Sequence, residues 1–538
     1  MRRSLFFTSA AAVLLIAVIT VTLIQLNQQT RLNVLLLTVE STRYDAISAK
    51  NTPFLWRQAK EGHRFLSHRT ASAWTGSNIV SILTGLSTFQ HGVHSRDSSV
   101  PAAWSLPLET LKDKGWDIGG LQSFMLIAGF QNLGLTHDPA TSAQAWMAAH
   151  RLDQKPFFLW RHYLDTHLPY DPPGAPPIAP SQDSAAAARL TLVKTLPAIP
   201  ASAAAFEMSD LPAIRTLYDA QFQVFDGWFK SLWTFLEKTG LRQSTIIVLT
   251  TDHGEELLER GHVGHASTTR AGHLHEEIAH IPLIIWLPET LNRSPSASTT
   301  THMSSHLDIM PTIFELLGVE PTAPFEGQNL FNLSGDRIWT GLTSKAGFAE
   351  DNPNAIREFI AAIKDGDDKA QIFLQDGVVT TSALYNLRAD PKERHNLAPE
   401  YPERLKRLTD VMLQQVLTMR IAKPKTPDDQ KNIPAGGPPK WIFPASSGAL
   451  TYDDLPSPLA LEWRGAANAD YVMQYQAGEG ILSVKGEINV SGARRDLGNI
   501  SQHYWEEYVT PYKQFRLRIR RAGSDQQWGP WLTIAVGK

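Results

Sequence analysis

The sequence contains no cysteine among its 538 residues. Disulfide bonds and thiolate metal sites are therefore excluded, and any metal ion must be held by oxygen and imidazole ligands. An excess of charge of one sign is also missing, because 50 basic and 53 acidic side chains leave a formal net charge of -3. That balance gives no reason to expect nucleic acid as a partner. A chain of this length, with 43% hydrophobic residues, is expected to fold into two or more domains.

A mainly apolar span, Leu5 to Leu26, follows Arg2 and Arg3 at the N-terminus. The span is long enough for one transmembrane helix. A cleaved signal peptide has a shorter apolar core and a small-x-small exit, so we favour an uncleaved signal-anchor within residues 1–30. The paired arginines are expected to keep the N-terminus in the cytoplasm. The sequence therefore predicts a single-pass protein of the inner (cytoplasmic) membrane, with its remaining residues in the periplasm or outside the cell.

Two unbroken apolar runs are expected to form central strands of a parallel sheet, because such strands are buried on both faces. Asn33 to Val39 ends at Glu40, and Thr245 to Leu249 is followed closely by Asp252 and His253. Ligands of open α/β sheets bind just beyond the carboxyl ends of the strands. The two junctions therefore predict a shared site. The simpler alternative is that each carboxylate caps a following helix and that the nearby histidines are solvated.

Thr75 stands where a helix is expected to begin. The Thr-Gly-Ser sequence at this point interrupts the preceding pattern, and apolar residues then recur at helical spacing from Ile79 to Leu83. Free backbone N–H groups and the helix dipole favour an anion at such a start. The alternative is an ordinary N-cap with no functional role.

Three pieces of the sequence together resemble the sulfatase family of the alkaline phosphatase superfamily. They are NVLLLTVESTRYDA, TASAWTGSNIVSILTGLSTFQHGVHS, and the stretch that runs from TTDHGEE through GHVGH to EEIAHIPLII. HYLDTHLPYDPP, His162 to Pro173, is similar to the family's substrate loop, and LDIMPTIFELLGV and LYNLRADPKERHNLA are similar to its C-terminal signatures. The resemblance covers about Leu32 to Leu417. It implies an α/β catalytic domain, residues 31–422, with a central, mostly parallel sheet flanked by helices.

The chain departs from the usual sulfatase pattern at the nucleophile. Sulfatases carry Cys or Ser, oxidised to formylglycine, in a Cys-x-Pro-x-Arg motif; here Thr75 takes that place, with Ser77 and Ile79 at the proline and arginine positions. Threonine cannot give formylglycine. A threonine nucleophile, with Glu40 in place of the usual Asp, resembles the phosphoethanolamine and phosphoglycerol transferases and the nucleotide phosphodiesterases of the superfamily. Ser41 replaces a second Asp of many sulfatases.

The resemblance and the residue types imply one divalent metal ion, Zn, Mn, Mg or Ca. A threonine hydroxyl is a poor nucleophile until a metal or a base draws off its proton. Once activated, it would attack phosphorus or sulfur, and the covalent ester would pass to water or to an acceptor alcohol. Cationic donors are expected to stabilise the transition state. The assignments are Glu40, Thr75, Asp252 and His253 as metal ligands, Thr75, His265 and His167 as catalytic residues, and His273, His167 and His265 as substrate-binding residues.

Other segments of the catalytic domain are assigned to packing or support. Leu211 to Lys238 is predicted to be an amphipathic helix whose aromatic residues belong to the core. Residues 172–210 are rich in Pro, Ala and Ser and are predicted to be an inserted loop, either a wall of the site or disordered decoration. His162, His262 and His275 are expected to support the site rather than to act in it.

Residues 423–440 have the composition of a linker, and the residue pattern changes after them. Residues 441–538 alternate at period two in several short runs, so they are predicted to form a β-sandwich. The order LEW, DYVMQYQ, FRLRIRR, WGPW resembles a fibronectin type III domain. Trp528 and Trp531 are interpreted as core residues, with binding of sugar or of a partner as the alternative.

The expected function is therefore a membrane-anchored metalloenzyme that cleaves or transfers a phosphate-type ester through Thr75. Sulfuric ester hydrolysis is the alternative within enzymes. An inactive scaffold that binds envelope glycans is the alternative from another class. The substrate is expected to be a phosphate or sulfate ester of a lipid head group or a glycan.

Overall fold

The computed structural model describes residues 32–93, 100, 107–120, 130–137, 142–151, 155–171, 184–196, 199, 205–265, 272–291, 298–344, 358–375, 378–417, 440–443, 448–450, 459–464, 470–477, 484–491, 494–498, 514–521, 528 and 531–536. The predicted membrane anchor, residues 1–30, and nearly all of the predicted linker lie outside these ranges. Within them, no helix combines the length and the apolar character that a membrane crossing requires.

Ten strands belong to the first part of the chain. They are β1 (Asn33–Val39), β2 (His63–Arg69), β3 (Asp117–Gly120), β4 (Thr136–His137), β5 (Phe157–Tyr163), β6 (Thr245–Thr251), β7 (Glu256–Leu257), β8 (Val263–Gly264), β9 (Leu283–Trp286) and β10 (Thr299–Ser305). Eight of them form one sheet in the order β10-β2-β9-β6-β1-β5-β3-β4, and β7 pairs with β8. Strand β9 runs antiparallel to β6 and β2, whereas the other neighbours are parallel. The sheet is thus mixed, and mostly parallel as predicted.

The register of the central strands sets the position of the site. Both strands beside β1 are parallel to it, and Val39 lies level with Tyr163 of β5 and with Thr251 of β6. All three strands therefore end at the same edge of the sheet. The residues that follow them, beginning with Glu40 and Asp252, leave the sheet side by side.

Ten α-helices surround the sheets. They are α1 (Pro53–Gln58), α2 (Thr75–Thr84), α3 (Thr88–His91), α4 (Pro107–Asp113), α5 (Ala143–Arg151), α6 (Ser184–Thr195), α7 (Leu211–Thr239), α8 (Glu276–Ala279), α9 (Ile309–Leu317) and α10 (Pro402–Leu417), counted over the described residues. Short 3-10 helices lie at Tyr44–Ala46, Ala59–Glu61, Phe130–Leu133, Met208–Asp210, Leu241–Gln243, His306–Asp308 and Leu330–Asn332.

Two hydrophobic cores cover the two faces of the central sheet. Alternate residues of β1 point to opposite sides, so Leu36 packs in one core with Ile79 of α2, and Leu37 packs in the other with Phe225 of α7. Trp233 of α7 is also buried in the second core. This two-sided burial explains why the strand sequences are apolar throughout, and it confirms the amphipathic helix predicted for Leu211 to Lys238.

The inserted segment is not irregular throughout, because α6 lies within it. Leu190 and Val193 of α6 are buried, and Arg189 donates to the Asp210 carboxylate at 2.6 Å. The sequence of α6, SAAAARLTLVKT, is rich in alanine, the residue with the highest helix propensity. The overall Pro and Ser content of residues 172–210 hid this local preference.

A second, smaller sheet follows the central one. Its antiparallel strands β11 (Trp339–Ser344), β12 (Glu358–Asp365), β13 (Asp368–Gln375) and β14 (Val378–Asn386) pair in sequence order. Helix α10 contributes Leu408 and Met412 to the core of this subdomain.

The C-terminal region consists of strands β15 (Lys440–Phe443), β16 (Gly448–Leu450), β17 (Leu459–Arg464), β18 (Asp470–Ala477), β19 (Val484–Ser491), β20 (Arg494–Gly498), β21 (Gln514–Arg521) and β22 (Leu532–Val536). They form a three-stranded sheet, β15-β17-β20, and a five-stranded sheet, β16-β22-β21-β18-β19. Their core contains Trp463, Tyr471 and Ile519. The predicted alternating runs are therefore strands of two sheets.

Candidate active site

Glu40 leaves the sheet directly after β1 and is held by a chain of buried side chains. Its Oε2 lies 2.7 Å from His162 Nε2, and His162 Nδ1 lies 2.6 Å from Thr38 Oγ1. The Trp160 indole donates to the same Thr38 oxygen at 3.0 Å. Because an ionised Glu40 has no proton to give, Nε2 of a neutral His162 carries the proton and Nδ1 accepts from the Thr38 hydroxyl. His162 therefore orients Glu40, the supporting role that we predicted for it.

Asp252 follows β6, and its two carboxylate oxygens differ in their hydrogen bonds. Oδ1 accepts hydrogen bonds from the backbone N–H groups of Ser41 and His253, both at 2.9 Å, and from the Thr251 hydroxyl at 3.1 Å. Oδ2 is buried and has no hydrogen-bond partner among the described residues. An unsatisfied buried carboxylate oxygen is costly, so this atom is well suited to bind a cation.

His253 is fixed with its Nε2 atom turned into the same site. Nδ1 lies 2.8 Å from the Gly254 carbonyl, so Nδ1–H donates to that oxygen and Nε2 is the ring nitrogen that faces the site. Nε2 lies 3.4 Å from Asp252 Oδ2 and 3.7 Å from Glu40 Oε1. Glycine is required at position 254, because a Cβ atom there would lie 2.0 Å from the Glu277 carbonyl oxygen.

Thr75 is the first residue of α2 and completes the group. Its hydroxyl donates to Glu40 Oε1 at 3.0 Å and lies 3.1 Å from His253 Nε2. The preceding loop is braced by the Asn78 side chain, which accepts from Ser72 N and donates to Ser72 O, both at 2.8 Å. The predicted helix start is confirmed, and it places a hydroxyl beside a carboxylate and an imidazole, at the N-terminal end of the helix.

His265 and His167 lie next to this group. The His265 ring centroid is 4.1 Å from that of His253, and the His167 ring packs edge-on against His265 at 5.1 Å. His265 Nδ1 lies 2.7 Å from Glu255 Oε2, and the Tyr170 hydroxyl donates to Glu255 Oε1 at 2.6 Å. Glu255 thus fixes the His265 ring. The sequence analysis did not single out Glu255, although its position directly after the Asp-His-Gly stretch was a usable signal.

The pKa values of these residues are shifted by burial and by the charges of their neighbours. Burial acts to raise the pKa of Glu40, but the hydrogen bond from His162 holds this pKa well below its usual value. Burial and the charge of Glu40 raise the pKa of Asp252 to about 6. Burial acts to lower the pKa of His253, but Asp252 and Glu40 raise it above its usual value. Burial and the charge of His253 lower the pKa of His265 to about 4.

His273, predicted to bind the substrate, makes its hydrogen bond to a carboxylate on β7. Its Nε2 lies 2.8 Å from Glu256 Oε2 on β7, and its ring centroid is 5.0 Å from that of His275. Burial acts to lower the pKa of His273, but the hydrogen bond to Glu256 raises it. Both residues of the pair are buried. The structure therefore groups His273 with Glu256 rather than with Thr75.

A separate network of buried charges, which we call the lysine network, joins α8 to the smaller sheet. Lys369 Nζ lies 2.8 Å from Glu276 Oε1 and 3.1 Å from Glu393 Oε1. Arg69 makes a two-pronged contact with the Glu276 carboxylate at 2.6 and 2.8 Å. His275 Nδ1 lies 3.2 Å from Glu393 Oε1. Each carboxylate of this network therefore has a basic partner.

Arg43 also acts as a structural residue. It donates to the Glu255 carbonyl and to the Glu259 carboxylate, both at 2.8 Å, and its Nε donates to Asp45 at 2.9 Å. These bonds hold the loop after β1 against the loop after β6.

The donor set of the Thr75 group fits a divalent metal ion. Metal-ligating atoms of Glu40, His253 and His265 lie within 4.8 Å of one another, as do those of Glu40, His162 and Asp252. Carboxylate oxygens and neutral imidazole suit Zn, Mn, Mg or Ca. Asp252 Oδ2 has no hydrogen-bond partner among the described residues and lies 3.4 Å from His253 Nε2, and a cation bound by these two atoms would offset the repulsion of two buried carboxylates. We call Glu40, Thr75, Asp252, His253 and His265 the carboxylate–imidazole cluster.

Comparison with known proteins gives consistent matches over part of the chain. Residues 130–319 match the family model described as Sulfatase. Arylsulfatase K of Rattus norvegicus is 27% identical over 206 residues, 37% of this chain and 34% of that protein. N-acetylglucosamine-6-O-sulfatase of Bacteroides thetaiotaomicron is 25% identical over 209 residues, 38% of this chain and 35% of that protein. Each match thus spans about a third of the relative's length.

The structural similarity covers more of the chain than the sequence matches do. The crystal structure of the phosphonate monoester hydrolase of Agrobacterium radiobacter aligns with a TM-score of 0.55 and covers 71% of this chain and 95% of that one. The two sequences are 19% identical over the alignment, so this likeness shows the fold alone.

Proposed function

We propose that this chain, whose residues 130–319 match the Sulfatase family model, is a metal-dependent member of the sulfatase family that uses Thr75 to cleave or transfer a phosphate-type ester. One observation carries the proposal. The Thr75 hydroxyl lies 3.0 Å from Glu40 Oε1 and 3.1 Å from His253 Nε2, at the start of α2. In the absence of cysteine, no thiol is available to become formylglycine.

A bound divalent cation would polarise the ester and favour the ionised form of the Thr75 hydroxyl. Glu40, Asp252 and His253 are the residues that would hold it. Thr75 Oγ1 then forms a bond to phosphorus, and the bond from phosphorus to the leaving oxygen breaks. In the second half of the reaction, water or an acceptor alcohol attacks phosphorus and releases the Thr75 oxygen.

Two histidines are assigned to proton transfer and to binding of the ester group. The Glu255 carboxylate accepts from His265 Nδ1–H, which leaves Nε2 able to take a proton from the attacking hydroxyl group. The low pKa of His265, which results from burial and from the charge of His253, keeps this nitrogen unprotonated near pH 7. His167 is half-buried beside His265 and is proposed to contact the ester oxygens.

Sulfuric ester hydrolysis is a second candidate, and the curated relatives favour it. The matched proteins carry the names arylsulfatase K and N-acetylglucosamine-6-O-sulfatase. The same in-line attack by Thr75 would apply at sulfur. The proposed substrates are accordingly phosphate or sulfate esters, including those of charged glycans, with lipid head groups as a further class. A substrate contact of His273 stays a prediction; its Nε2 lies 2.8 Å from Glu256 Oε2.

We also propose that the enzyme is anchored in the inner membrane by residues 1–30 and faces the periplasm. The support is the apolar span Leu5 to Leu26 preceded by Arg2 and Arg3. A fibronectin type III-like identity is proposed for residues 441–538 on the basis of their strand pattern and two sheets.

The test is a substrate panel combined with Thr75→Ala. Phosphate monoesters, phosphate diesters, phosphonate monoesters and sulfate esters would be assayed with added Zn, Mn, Mg or Ca. Thr75→Ala is expected to lower kcat by roughly a thousandfold or more on the preferred ester, because it removes the nucleophile. Thr84→Ala is a matched control, since Thr84 lies in the same helix, is buried, and bonds only to the Val80 carbonyl and the Leu86 N–H.

Mass spectrometry then identifies the intermediate. We expect a phosphorylated or sulfated Thr75 after rapid acid quenching of a turnover mixture. Full activity of Thr75→Ala would contradict the proposed nucleophile. An unmodified and inactive protein across the panel, with no bound metal, would instead favour the glycan-binding scaffold.

A further inference from the structure

The C-terminal region contains a stack of arginines and tryptophans that the proposed reaction does not use. Arg516 and Arg518 lie 4.9 and 4.5 Å from the ring centroid of Trp531. Arg518 and Arg520 lie 4.7 and 4.9 Å from that of Trp528. The five side chains therefore alternate in the order Arg516, Trp531, Arg518, Trp528, Arg520. We call this stack the arginine ladder.

The ladder lies on the face of β21 that does not form the core. Side chains alternate along a strand, and Leu517 and Ile519, between the arginines, pack in the hydrophobic core of the region. All five ladder residues are half-buried, so none is sealed inside the protein. Strand β21 is a central strand of its sheet, between β22 and β18, which makes the ladder part of a sheet face rather than of an edge.

The arginines are held apart and in order. Every second residue of a strand is displaced by roughly 6.6 Å, so three guanidinium groups form a row of like charges. Each guanidinium carbon lies within 4.9 Å of an indole centroid, the distance of a cation–π contact, and arginine carries five N–H donors in a rigid fork that suits anionic oxygens. Arg518 Nε also donates to the Gln474 side-chain oxygen at 2.5 Å, which fixes its orientation. A prearranged row of such donors is suited to a ligand with regularly spaced anionic groups.

We propose that the arginine ladder binds the sulfate groups of a sulfated polysaccharide chain and so retains a polymeric substrate near the enzyme. The choice of this polymer rests on the proposed function, because a charged glycan ester is one of the substrate classes assigned to the Thr75 site. The capacity of the ladder to bind spaced anionic groups rests on its own geometry and charge. Its N–H forks match the planar oxygen pairs of sulfate, which lysine would not match equally well.

The binding experiment uses the full-length protein in mild detergent and a matched pair of polymers. Affinity electrophoresis through gels that contain dextran sulfate or unsulfated dextran compares the same backbone with and without its anionic groups. We expect retardation by dextran sulfate and none by dextran. The variant R516Q/R518Q/R520Q is expected to bind dextran sulfate at least about tenfold more weakly, because several charged hydrogen bonds are lost.

A control variant removes the same charge elsewhere in the region. R464Q/R494Q/R495Q takes three positive charges from β17 and β20 of the three-stranded sheet and is expected to retain binding. Thr75→Ala is expected to bind dextran sulfate like the parent protein. A chain that binds but proves inactive would therefore contradict only the proposed reaction, and one that is active but does not bind would contradict only the ladder.

Several outcomes would overturn the proposal. If the control variant also binds dextran sulfate more weakly by the same factor, overall charge rather than the ladder explains the loss of binding. Anionic phospholipid vesicles or single-stranded DNA that bind through the ladder as tightly as dextran sulfate would refute the assignment to a glycan. If the triple variant fails to fold, the single variant Arg516→Gln removes one terminal rung, which lies over Trp531. It is expected to bind severalfold more weakly, and unchanged binding would also overturn the proposal.

Discussion

The carboxylate–imidazole cluster and the lysine network are both buried and both built around two carboxylates, but they differ in what balances the charge. In the lysine network, Lys369 and Arg69 lie within 3.1 Å of the carboxylates of Glu276 and Glu393. In the carboxylate–imidazole cluster, the partners are imidazoles and hydroxyls, and Asp252 Oδ2 has no hydrogen-bond partner among the described residues. The network contains its own cations, Lys369 and Arg69, whereas none of the five residues of the cluster is a lysine or an arginine.

This difference separates a structural role from a functional one. Burial acts to raise the pKa of Glu276, but Arg69 and Lys369 hold it well below its usual value, so the network is stable as it stands. The charge of Glu40 instead adds to burial in raising the pKa of Asp252. Buried charge alone is therefore a poor guide to a site. A buried carboxylate without a basic partner is the better guide.

The largest effect that would test this comparison is expected from Asp252→Asn. The amide cannot supply the open carboxylate oxygen, so metal affinity should fall by more than the roughly 10- to 100-fold typical of outer partners. At the same time, the metal-free protein should become more stable, because a like charge beside Glu40 is removed. Metal titration by calorimetry and thermal unfolding after chelation measure the two quantities.

Asp226→Asn is the control for that variant. Asp226 is buried and accepts hydrogen bonds from the backbone of Phe54 and Leu55 at 2.9 and 2.8 Å. This substitution should lower the stability of the protein with and without metal and should leave metal affinity unchanged. Equal metal affinity of Asp252→Asn and the parent protein would show that the cluster is not a metal site.

The next effect is expected in the lysine network. Lys369→Met should lower the free energy of unfolding by roughly 3–5 kcal/mol, because the buried Glu393 and the half-buried Glu276 lose their shared partner. Metal content should be unchanged. Urea unfolding and elemental analysis measure these two results.

A combined variant shows whether the loss comes from unpaired charge. K369M/E276Q/E393Q removes the charges of both carboxylates together with the lysine and is expected to recover much of the stability. If the triple variant is as unstable as Lys369→Met, packing rather than charge explains the effect.

The smallest effect at neutral pH is expected from a buried imidazole that pairs with a backbone carbonyl. His306 Nε2 lies 2.8 Å from the Thr251 carbonyl, and burial lowers its pKa to about 3. The unfolded chain binds a proton below about pH 6.5, whereas the folded protein binds it only near pH 3. Stability from this residue is therefore complete above pH 6.5 and is lost as the pH falls through that window.

His306→Gln should accordingly reduce the dependence of unfolding free energy on pH between about 6.5 and 3, by up to about 1.4 kcal/mol per pH unit. Chemical unfolding at a series of pH values measures the slope. His302→Gln serves as the control at an exposed position. A slope that is the same in His306→Gln and the parent protein would contradict the assigned protonation.

Much of the fold was predictable because its signals are local. The apolar runs of β1 and β6, the helical spacing of α7 and the alternation in β21 each depend on neighbouring residues. The meeting of Glu40 with Asp252 was also predictable, since central parallel strands end at one edge.

Other features depend on contacts that no local pattern contains. The link from Trp160 through Thr38 to His162 needs the register of β1 against β5, and the pairing of His273 with Glu256 needs the fold of the loop after β6. Glu255 was overlooked because an acidic residue beside an Asp-His pair is ordinarily interpreted as solvated. The helix α6 was hidden by the composition of the longer segment around it.

Hydrogen bonds link Trp160 through Thr38 and His162 to Glu40. A core aromatic residue therefore helps to determine which nitrogen of His162 carries the proton. If Trp160 were replaced by phenylalanine, the space would remain nearly filled, but the Thr38 hydroxyl would lose the donor that orients it. His162 could then adopt its other tautomer and withdraw its hydrogen bond from Glu40. Substitutions in the sheet interior can thus change the proposed reaction, by selection or by design, at residues that do not contact the substrate.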